Sequence, residues 1–233
     1  RRRCRCEVRQ RRRCRCERVP PRTAVLGLIA NILGLPKDAL ANELADACVA
    51  LSGPCPPTHW HACNQRKIKA MRFLPATFTA RKPVELTLPE EDNTQLRQEW
   101  LCNPDFEVTA VLPAALHDAF VARVREGRTH FTPCMGLSEM LASIEYLSDE
   151  TLTPLPDGLH RVRSLVRHEG STRLAIEAVM DEQLRVLSLS MPRTVTEARQ
   201  FTHANYFVAP NGDPLPVHTS MAWQSSAGAL MFL

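Results

Sequence analysis

A chain of 233 residues is long enough for one large domain, or for a domain with an elaborated second half. Hydrophobic residues make up 44% of it and charged residues 23%, a balance that is typical of folded chains and excludes a disordered one. The longest apolar run, residues 24–35, is shorter than the roughly 20 residues of a membrane helix, and no secretory signal precedes it, so we expect a soluble, cytoplasmic protein without membrane contact.

The formal net charge of +4 conceals two parts of opposite sign. Residues 1–18 hold ten arginines against Glu7 and Glu17, which leaves 19 basic and 23 acidic side chains in residues 19–233. The body of the chain is therefore acidic. A nucleic-acid site on the body must come from local clustering of basic side chains, because the overall field does not provide it.

The N-terminal segment is a repeat, because residues 1–7 and 11–17 are the same heptapeptide. Such low complexity predicts a disordered tail over residues 1–18. Its two C-x-C pairs suggest zinc ligation, but zinc sites favour about two to four residues between paired cysteines and the nearby arginines repel a cation. We expect no metal and no cofactor here, although the alternative ligand set is Cys4, Cys6, Cys14 and Cys16.

After the tail, two helices are expected. Residues 24–34 are apolar almost all round, with prolines before them and Gly34 at the end, which is typical of a buried helix. Residues 37–51 are expected to form a second helix, ended by the Gly- and Pro-rich cluster at residues 52–57.

The next segment has a distinctive charge pattern, because no acidic residue occurs between Ala47 and Val84. Alternating basic and apolar residues predict a strand over residues 67–73 with one solvent-exposed face. Basic side chains along a strand can follow a phosphate backbone, although lysines on a solvated strand edge would also protect it from aggregation. The candidate RNA-binding residues of this segment are Arg66, Lys67, Lys69, Arg72, Arg81 and Lys82.

The middle of the chain predicts a short helix over residues 93–101, a strand over residues 106–111 and an amphipathic helix over residues 113–126. Further strands are expected at residues 159–166, 174–179 and 184–189. Residues 159–168 form a second basic patch, and the last twenty residues predict no element. This order of elements favours an α+β fold on an antiparallel sheet.

Three histidines are candidate acid–base groups. His59 and His61 share one strand face with Cys63, which also suggests a metal site, and His130 lies near Cys134. No carboxylate lies near His59 or His61 in sequence to orient either ring, which weakens both alternatives.

Three segments resemble CRISPR-associated protein family 5, in forms like those of type I-B systems. They are residues 20–34 (PPRTAVLGLIANILG), 130–146 (HFTPCMGLSEMLASIEY) and 100–106 (WLCNPDF). The resemblance covers about residues 20–150. It implies a ferredoxin-like, RRM-related antiparallel sheet of the repeat-associated protein superfamily, with helices on one face. A β-hairpin thumb is expected at about residues 59–84 within a domain of residues 19–150, and residues 151–233 are expected to form a β-rich C-terminal part.

The resemblance also implies a function. Members of this family cap the 5′ handle of crRNA in the Cascade complex, between the backbone subunit and the large subunit, and reach target DNA through the complex. We therefore expect a non-catalytic, RNA-binding subunit in antiviral defence, with Arg22 of the first resembling segment added to the RNA-binding set. The alternative is a metal-independent endoribonuclease that cuts repeat precursor RNA through His59, His61 or His130.

One departure from the family concerns the start of the sheet. The arginine repeat stands where the resemblance implies an apolar first strand. A central strand of the sheet is therefore expected to be missing, which leaves open an incorrect gene start, completion by a partner or a damaged fold.

Overall fold

The computed structural model describes residues 3–4, 18–67, 92–134 and 141–233. Its helices are α1 (Arg22–Leu33), α2 (Ala114–Arg125) and α3 (Ile176–Asp181). The strands of the first half are β1 (Arg3–Cys4), β2 (Cys48–Ser52), β3 (Thr58–Lys67), β4 (Asp92–Cys102) and β5 (Glu107–Val111). Those of the second half are β6 (Thr153–Pro154), β7 (Gly158–Val162), β8 (Val166–Arg167), β9 (Arg173–Leu174), β10 (Leu187–Val195), β11 (Phe201–Val208), β12 (Leu215–Thr219), β13 (Ala222–Ser225) and β14 (Gly228–Met231).

These strands form four sheets. β2 pairs with β5, β4 lies between β1 and β3, and β11 lies between β10 and β8. The largest sheet has the order β6-β13-β14-β7-β12-β9. Among the described strands, the pairing of β7 with β14 is parallel and the other pairings are antiparallel. The chain is thus mixed α and β and rich in sheet, as predicted, while the ferredoxin-like arrangement stays a prediction.

Helix α1 packs on the main core. Its buried residues include Val25, Leu26, Ile29 and Ile32, each of which stabilises the fold by roughly 1.5–3 kcal/mol on burial. Pro21 is the N-cap, and Gly34 ends the helix in the left-handed conformation, at a φ of 78°. Prolines before the helix and a glycine at its end are the limits that the sequence predicts.

The core joins the two halves of the chain. Buried side chains from residues 19–51 belong to the same hydrophobic cluster as Leu165, Met191, Tyr206 and Leu233. Backbone bonds join the same parts, from Leu165 N to Leu51 O at 2.8 Å and from Leu233 N to Val49 O at 2.9 Å. The predicted parts 19–150 and 151–233 therefore share a core. A second cluster, centred on Val162, Leu215 and Val217, lies within the C-terminal part.

Several predicted elements are confirmed. Helices α1 and α2 match the predicted helices at residues 24–34 and 113–126, and β5 matches the strand predicted at residues 106–111. The strand predicted over residues 67–73 lies outside the described residues except for Lys67, the last residue of β3. The strands expected at residues 159–166 and 184–189 are confirmed in part, because β7 ends at Val162 and β10 begins at Leu187.

Other predicted elements are wrong. Residues 37–46 form turns and β2 follows, where a helix was predicted over residues 37–51, because the Val49-Ala50-Leu51 run is buried as a strand paired with β5. Residues 93–101 are strand rather than helix, because ten residue pairs with β3 outweigh local helix propensity. The run at residues 174–179 forms the end of β9 and most of α3 instead of a strand, and the last twenty residues contain β12, β13 and β14.

Of the predicted tail, residues 1–18, the structure describes Arg3, Cys4 and Arg18. Arg3 and Cys4 form β1 and pair with Cys102 and Leu101 of β4. The sheet of β2 and β5 has two strands in the part of the chain that the structure describes, and β1 is not one of them.

Within the described ranges, no helix has both the length and the hydropathy to cross a bilayer.

Candidate nucleic-acid interface

Strands β3 and β4 form a long antiparallel pair, here called the ribbon. Its register runs from Thr58 opposite Leu101 to Lys67 opposite Asp92, which is roughly 30 Å of strand at about 3.4 Å per residue. The ribbon contains the first part of the segment predicted as the thumb, residues 59–84. The sequence did not predict that β4 would be its second strand.

Aromatic rings and imidazoles line the ribbon. His59 and His61 lie on one face because side chains alternate along a strand, and the His61 ring lies 5.0 Å from the Trp100 ring. Trp60 lies on the other face with 48% of its surface exposed. Exposed rings on an extended strand pair are a surface on which unpaired bases can stack.

The basic residues predicted for this segment are described only in part. Arg66 and Lys67 are in β3, opposite Asn93 and Asp92. Arg97 of β4 is exposed on the ribbon and was not predicted as a site residue. The remaining predicted contacts lie outside the described residues, namely Lys69, Arg72, Arg81 and Lys82.

Arg22, the other predicted RNA contact, has a buried guanidinium. Its Nη2 donates to the carbonyls of Ala45 and Ala47 at 2.9 and 2.6 Å, and its Nη1 donates to the carbonyl of Arg193 at 3.2 Å. Burial lowers the pKa of the Arg22 guanidinium. These bonds hold α1 against the turn before β2 and against β10, so an RNA contact by Arg22 would have to use its remaining donors.

The three predicted histidines lie in two settings. His59 and His61 are exposed on the ribbon, whereas His130 lies at the C-terminal end of α1. There its backbone N–H donates to the Ile32 carbonyl at 3.0 Å, and its ring packs edge-on against Phe131. The ring also lies over Gly34, where an added Cβ would be 2.5 Å from the His130 Cγ.

A cleft of about 1380 Å³ lies in the described part of the chain, and the sequence did not predict it. Its walls are α1, β5, α2 and the extended residues 141–152. The extended segment is tied to α2, because Arg125 donates to the Tyr146 hydroxyl at 2.6 Å, and to the β13–β14 turn, because Ser226 N donates to Glu150 at 2.7 Å. The cleft is therefore closed on one side by a segment without regular secondary structure.

A histidine and a carboxylate meet at this cleft. His117 Nε2 lies 3.4 Å from Asp149 Oδ1, with both side chains partly exposed. A carboxylate beside an imidazole orients the ring, which is what an acid–base role requires. The two residues are far apart in sequence, so no local signal indicates this pair.

Arginines of the second basic patch also line the cleft. Arg163 lies 3.2 Å from Glu107, and Arg167 lies 2.6 Å from Glu169. Arg193 of β10 is near the same Glu169, at 3.5 Å. Arg163 and Arg167 of the patch at residues 159–168 thus line the cleft, and Arg193 is a further lining arginine that the sequence did not indicate.

The described residues contain no group of three or more histidine, cysteine or acidic side chains able to hold an ion. Of the alternative ligands, Cys6, Cys14 and Cys16 lie outside the described residues. Cys48, Cys55, Cys102 and Cys134 are free thiols. Burial raises the pKa of the Cys55 thiol.

Comparison with known proteins identifies the family. The chain belongs to the family described as CRISPR-associated protein (Cas_Cas5), whose model matches residues 5–204. This confirms the resemblance on which the sequence prediction rests. No curated protein matches the chain. One solved chain, from a structure titled "CRISPR RNA-guided surveillance complex", is similar with a TM-score of 0.46 and 14% identity, over 86% of this chain and 81% of that one.

Proposed function

We propose that this chain is a non-catalytic subunit of a type I CRISPR interference complex, Cascade, in which it binds and caps the 5′ handle of crRNA in antiviral defence. The family match carries the proposal, since it spans residues 5–204 and the family is CRISPR-associated. The ribbon supports the RNA-binding part, because it presents rings and basic residues on an extended surface.

The chemistry of a single-stranded RNA fits such a surface. Unpaired bases expose their faces, and each base stacked on an aromatic ring contributes about 1–3 kcal/mol to binding. Trp60 is the exposed ring that meets this need, and the His61–Trp100 pair forms a second ring surface on the opposite face. Arg97, together with Arg66 and Lys67, supplies positive charge for phosphates along the same strands.

The proposed partners are crRNA, the Cascade backbone subunit and the large subunit, with target DNA reached through the complex. These follow from the family and not from any contact in this chain.

A second candidate function is cleavage of repeat precursor RNA. It is favoured by the His117–Asp149 pair, which lies in a cleft large enough for nucleotides. In that case His59, His61 and His130 are the further candidates. The cleavage would use the RNA 2′-hydroxyl as nucleophile and would need no metal.

Binding of a repeat-derived RNA with an intact 5′ handle tests the first proposal, measured by fluorescence anisotropy. Trp60→Ala removes one stacking surface and is expected to weaken binding about 5- to 150-fold, the factor for 1–3 kcal/mol. Phe201→Ala is the matched control, because Phe201 is 41% exposed but lies on β11, off the ribbon. Equal loss in both variants would contradict the ribbon as the binding surface.

The same RNA tests the second candidate. We expect no cleavage by the unchanged chain. Cleavage that disappears in His117→Ala, with RNA binding kept, would show that the chain is an enzyme.

A further inference from the structure

Four polar side chains meet where the β10–β11–β8 sheet faces α1. Arg22, Arg167 and Arg193 all line the cleft, whereas Tyr206 is buried behind them and does not line it. Tyr206 of β11 is directly opposite Arg167 of β8 in the antiparallel register, so their side chains project from the same face. This group, Arg22, Arg167, Arg193 and Tyr206, is called the arginine cluster.

The charges of the cluster are not balanced. Glu169 is the carboxylate that contacts it among the described residues, with Oε2 at 2.6 Å from Arg167 Nε and 3.5 Å from Arg193 Nη1. The cluster thus holds three guanidinium groups, and its one carboxylate contact reaches only Arg167 and Arg193. Burial, and then the charge of Arg193, lower the pKa of Arg167, which is the effect of cations held close together away from water.

The hydrogen-bond donors of the cluster are also unmatched. Arg22 uses its terminal nitrogens on carbonyl oxygens, whereas the buried Arg167 Nε makes no well-aligned hydrogen bond among the described residues, although Glu169 Oε2 lies 2.6 Å away. The Tyr206 hydroxyl is without a hydrogen-bond partner in the same ranges, although the residue is only 1% exposed. Buried donors of this kind are costly unless an acceptor meets them, since each costs about 1–3 kcal/mol.

An anion in the cleft would offset the excess positive charge and offer acceptors to the donors of Arg167 and Arg193. A phosphate group carries negative charge and several acceptor oxygens, and guanidinium forks match its geometry. The cleft, at about 1380 Å³, leaves room for the nucleotides that would carry it. A small carboxylate would satisfy fewer of the donors.

We propose that the arginine cluster is an anion site that binds one phosphate group of the RNA strand. This assignment rests on the proposed RNA-binding function. Arg193 and Arg167 meet the phosphate oxygens from the wall of the cleft, Arg22 holds the cluster to α1, and the buried Tyr206 packs behind Arg167. Glu169 competes with the phosphate for the same two arginines.

The test is RNA affinity as a function of salt, with two matched pairs of variants. Arg193→Gln is compared with Arg161→Gln, because Arg161 also pairs with a glutamate, Glu182, but is exposed and does not line the cleft. Glu169→Gln is compared with Glu182→Gln for the same reason. All four positions are at least partly exposed, so the variants are expected to fold.

We expect Arg193→Gln to weaken RNA binding about tenfold at low salt and to lower the slope of log K against log salt by about 0.7, the value for one phosphate contact on a single strand. Arg161→Gln leaves that slope unchanged. Glu169→Gln removes the competing carboxylate and strengthens RNA binding, whereas Glu182→Gln does not. Equal slopes for Arg193→Gln and Arg161→Gln, or weaker binding by Glu169→Gln, would overturn the assignment.

A second measurement separates this site from the proposed function. Pyrophosphate is expected to raise the melting temperature of the unchanged chain and of Arg161→Gln, but not that of Arg193→Gln. RNA binding by the unchanged chain that Arg193→Gln leaves intact would overturn the site and leave the proposed function standing. If the unchanged chain binds no RNA, the proposed function fails and the RNA assignment fails with it, even where pyrophosphate still binds.

Discussion

The contact between His130 and the end of helix α1 gives a quantitative prediction for Gly34→Ala. Gly34 has a φ of +78°, and an alanine in this left-handed conformation costs about 1–2 kcal/mol. Its Cβ would also lie 2.5 Å from the His130 Cγ, and relieving such overpacking costs a further 1–3 kcal/mol or so. We therefore expect Gly34→Ala to lower the free energy of unfolding by about 2–5 kcal/mol in total.

Gly127 provides the matched control. It follows α2 at a φ of +64°, with no atom within 4 Å of an added Cβ. Gly127→Ala should therefore show the backbone cost alone, about 1–2 kcal/mol. In a chain that already carries His130→Ala, the Cβ of Gly34→Ala no longer overlaps the histidine ring. Gly34→Ala should then lower the free energy of unfolding by the backbone cost alone, as Gly127→Ala does.

The assay is urea or thermal unfolding of the unchanged chain and of four variants, namely Gly34→Ala, Gly127→Ala, His130→Ala and Gly34→Ala combined with His130→Ala. For a chain of this size each kcal/mol lowers the melting temperature by about 2–4 °C. The double-mutant comparison isolates the contact between the two residues. If Gly34→Ala costs no more than Gly127→Ala, or costs the same with and without His130, the packing of His130 on the helix end is refuted.

Three further predictions concern single side chains. Leu26→Ala in the core of α1 should lower the free energy of unfolding by about 2–5 kcal/mol in urea, and a loss below 1 kcal/mol or so would contradict the burial of Leu26. Tyr206→Phe removes a buried hydroxyl without a partner among the described residues, so stability at pH 7 should stay the same or rise by about 1 kcal/mol, and a clear loss would be evidence for a missed partner. Burial raises the pKa of Tyr206, so the folded state favours the neutral phenol. The contribution of Tyr206 to the free energy of unfolding is therefore complete below a pH of about 10 and falls as the pH rises further. This loss of stability at high pH should be smaller in Tyr206→Phe. Burial also raises the pKa of the Cys55 thiol, so iodoacetamide at pH 8 should label Cys55 more slowly than a free cysteine peptide, and equal rates in peptide mapping would contradict its burial.

Local sequence predicts the elements whose limits are set by their own residues. Helix α1 has prolines before it and Gly34 after it, and α2 has Pro113 before it and Gly127 after it, so both helices were predicted nearly to the residue. Strand β4 was predicted as a helix because its register with β3 depends on a partner more than twenty residues away. Strand β2 was missed for a similar reason, since its partner β5 begins at Glu107.

The candidate sites also differ in whether their residues are close together in the sequence or come from distant parts of it. The ribbon was partly predictable, because its charge and its histidines lie within one continuous segment. The arginine cluster was not, because Arg22, Arg167 and Arg193 come from three elements that only the folded core brings together. The basic patch at residues 159–168 was visible in the sequence, but the position of its Arg163 and Arg167 in the wall of a cleft was not.

The family membership is the basis of the proposed function, so the most direct test is what the chain carries in the cell. The tagged chain should be purified together with the proteins encoded by neighbouring genes, and any bound small RNA should be sequenced. We predict co-purifying complex subunits and guide RNAs that share one 5′ handle. A chain that purifies with no RNA and no partner would contradict its assignment as a crRNA-capping subunit.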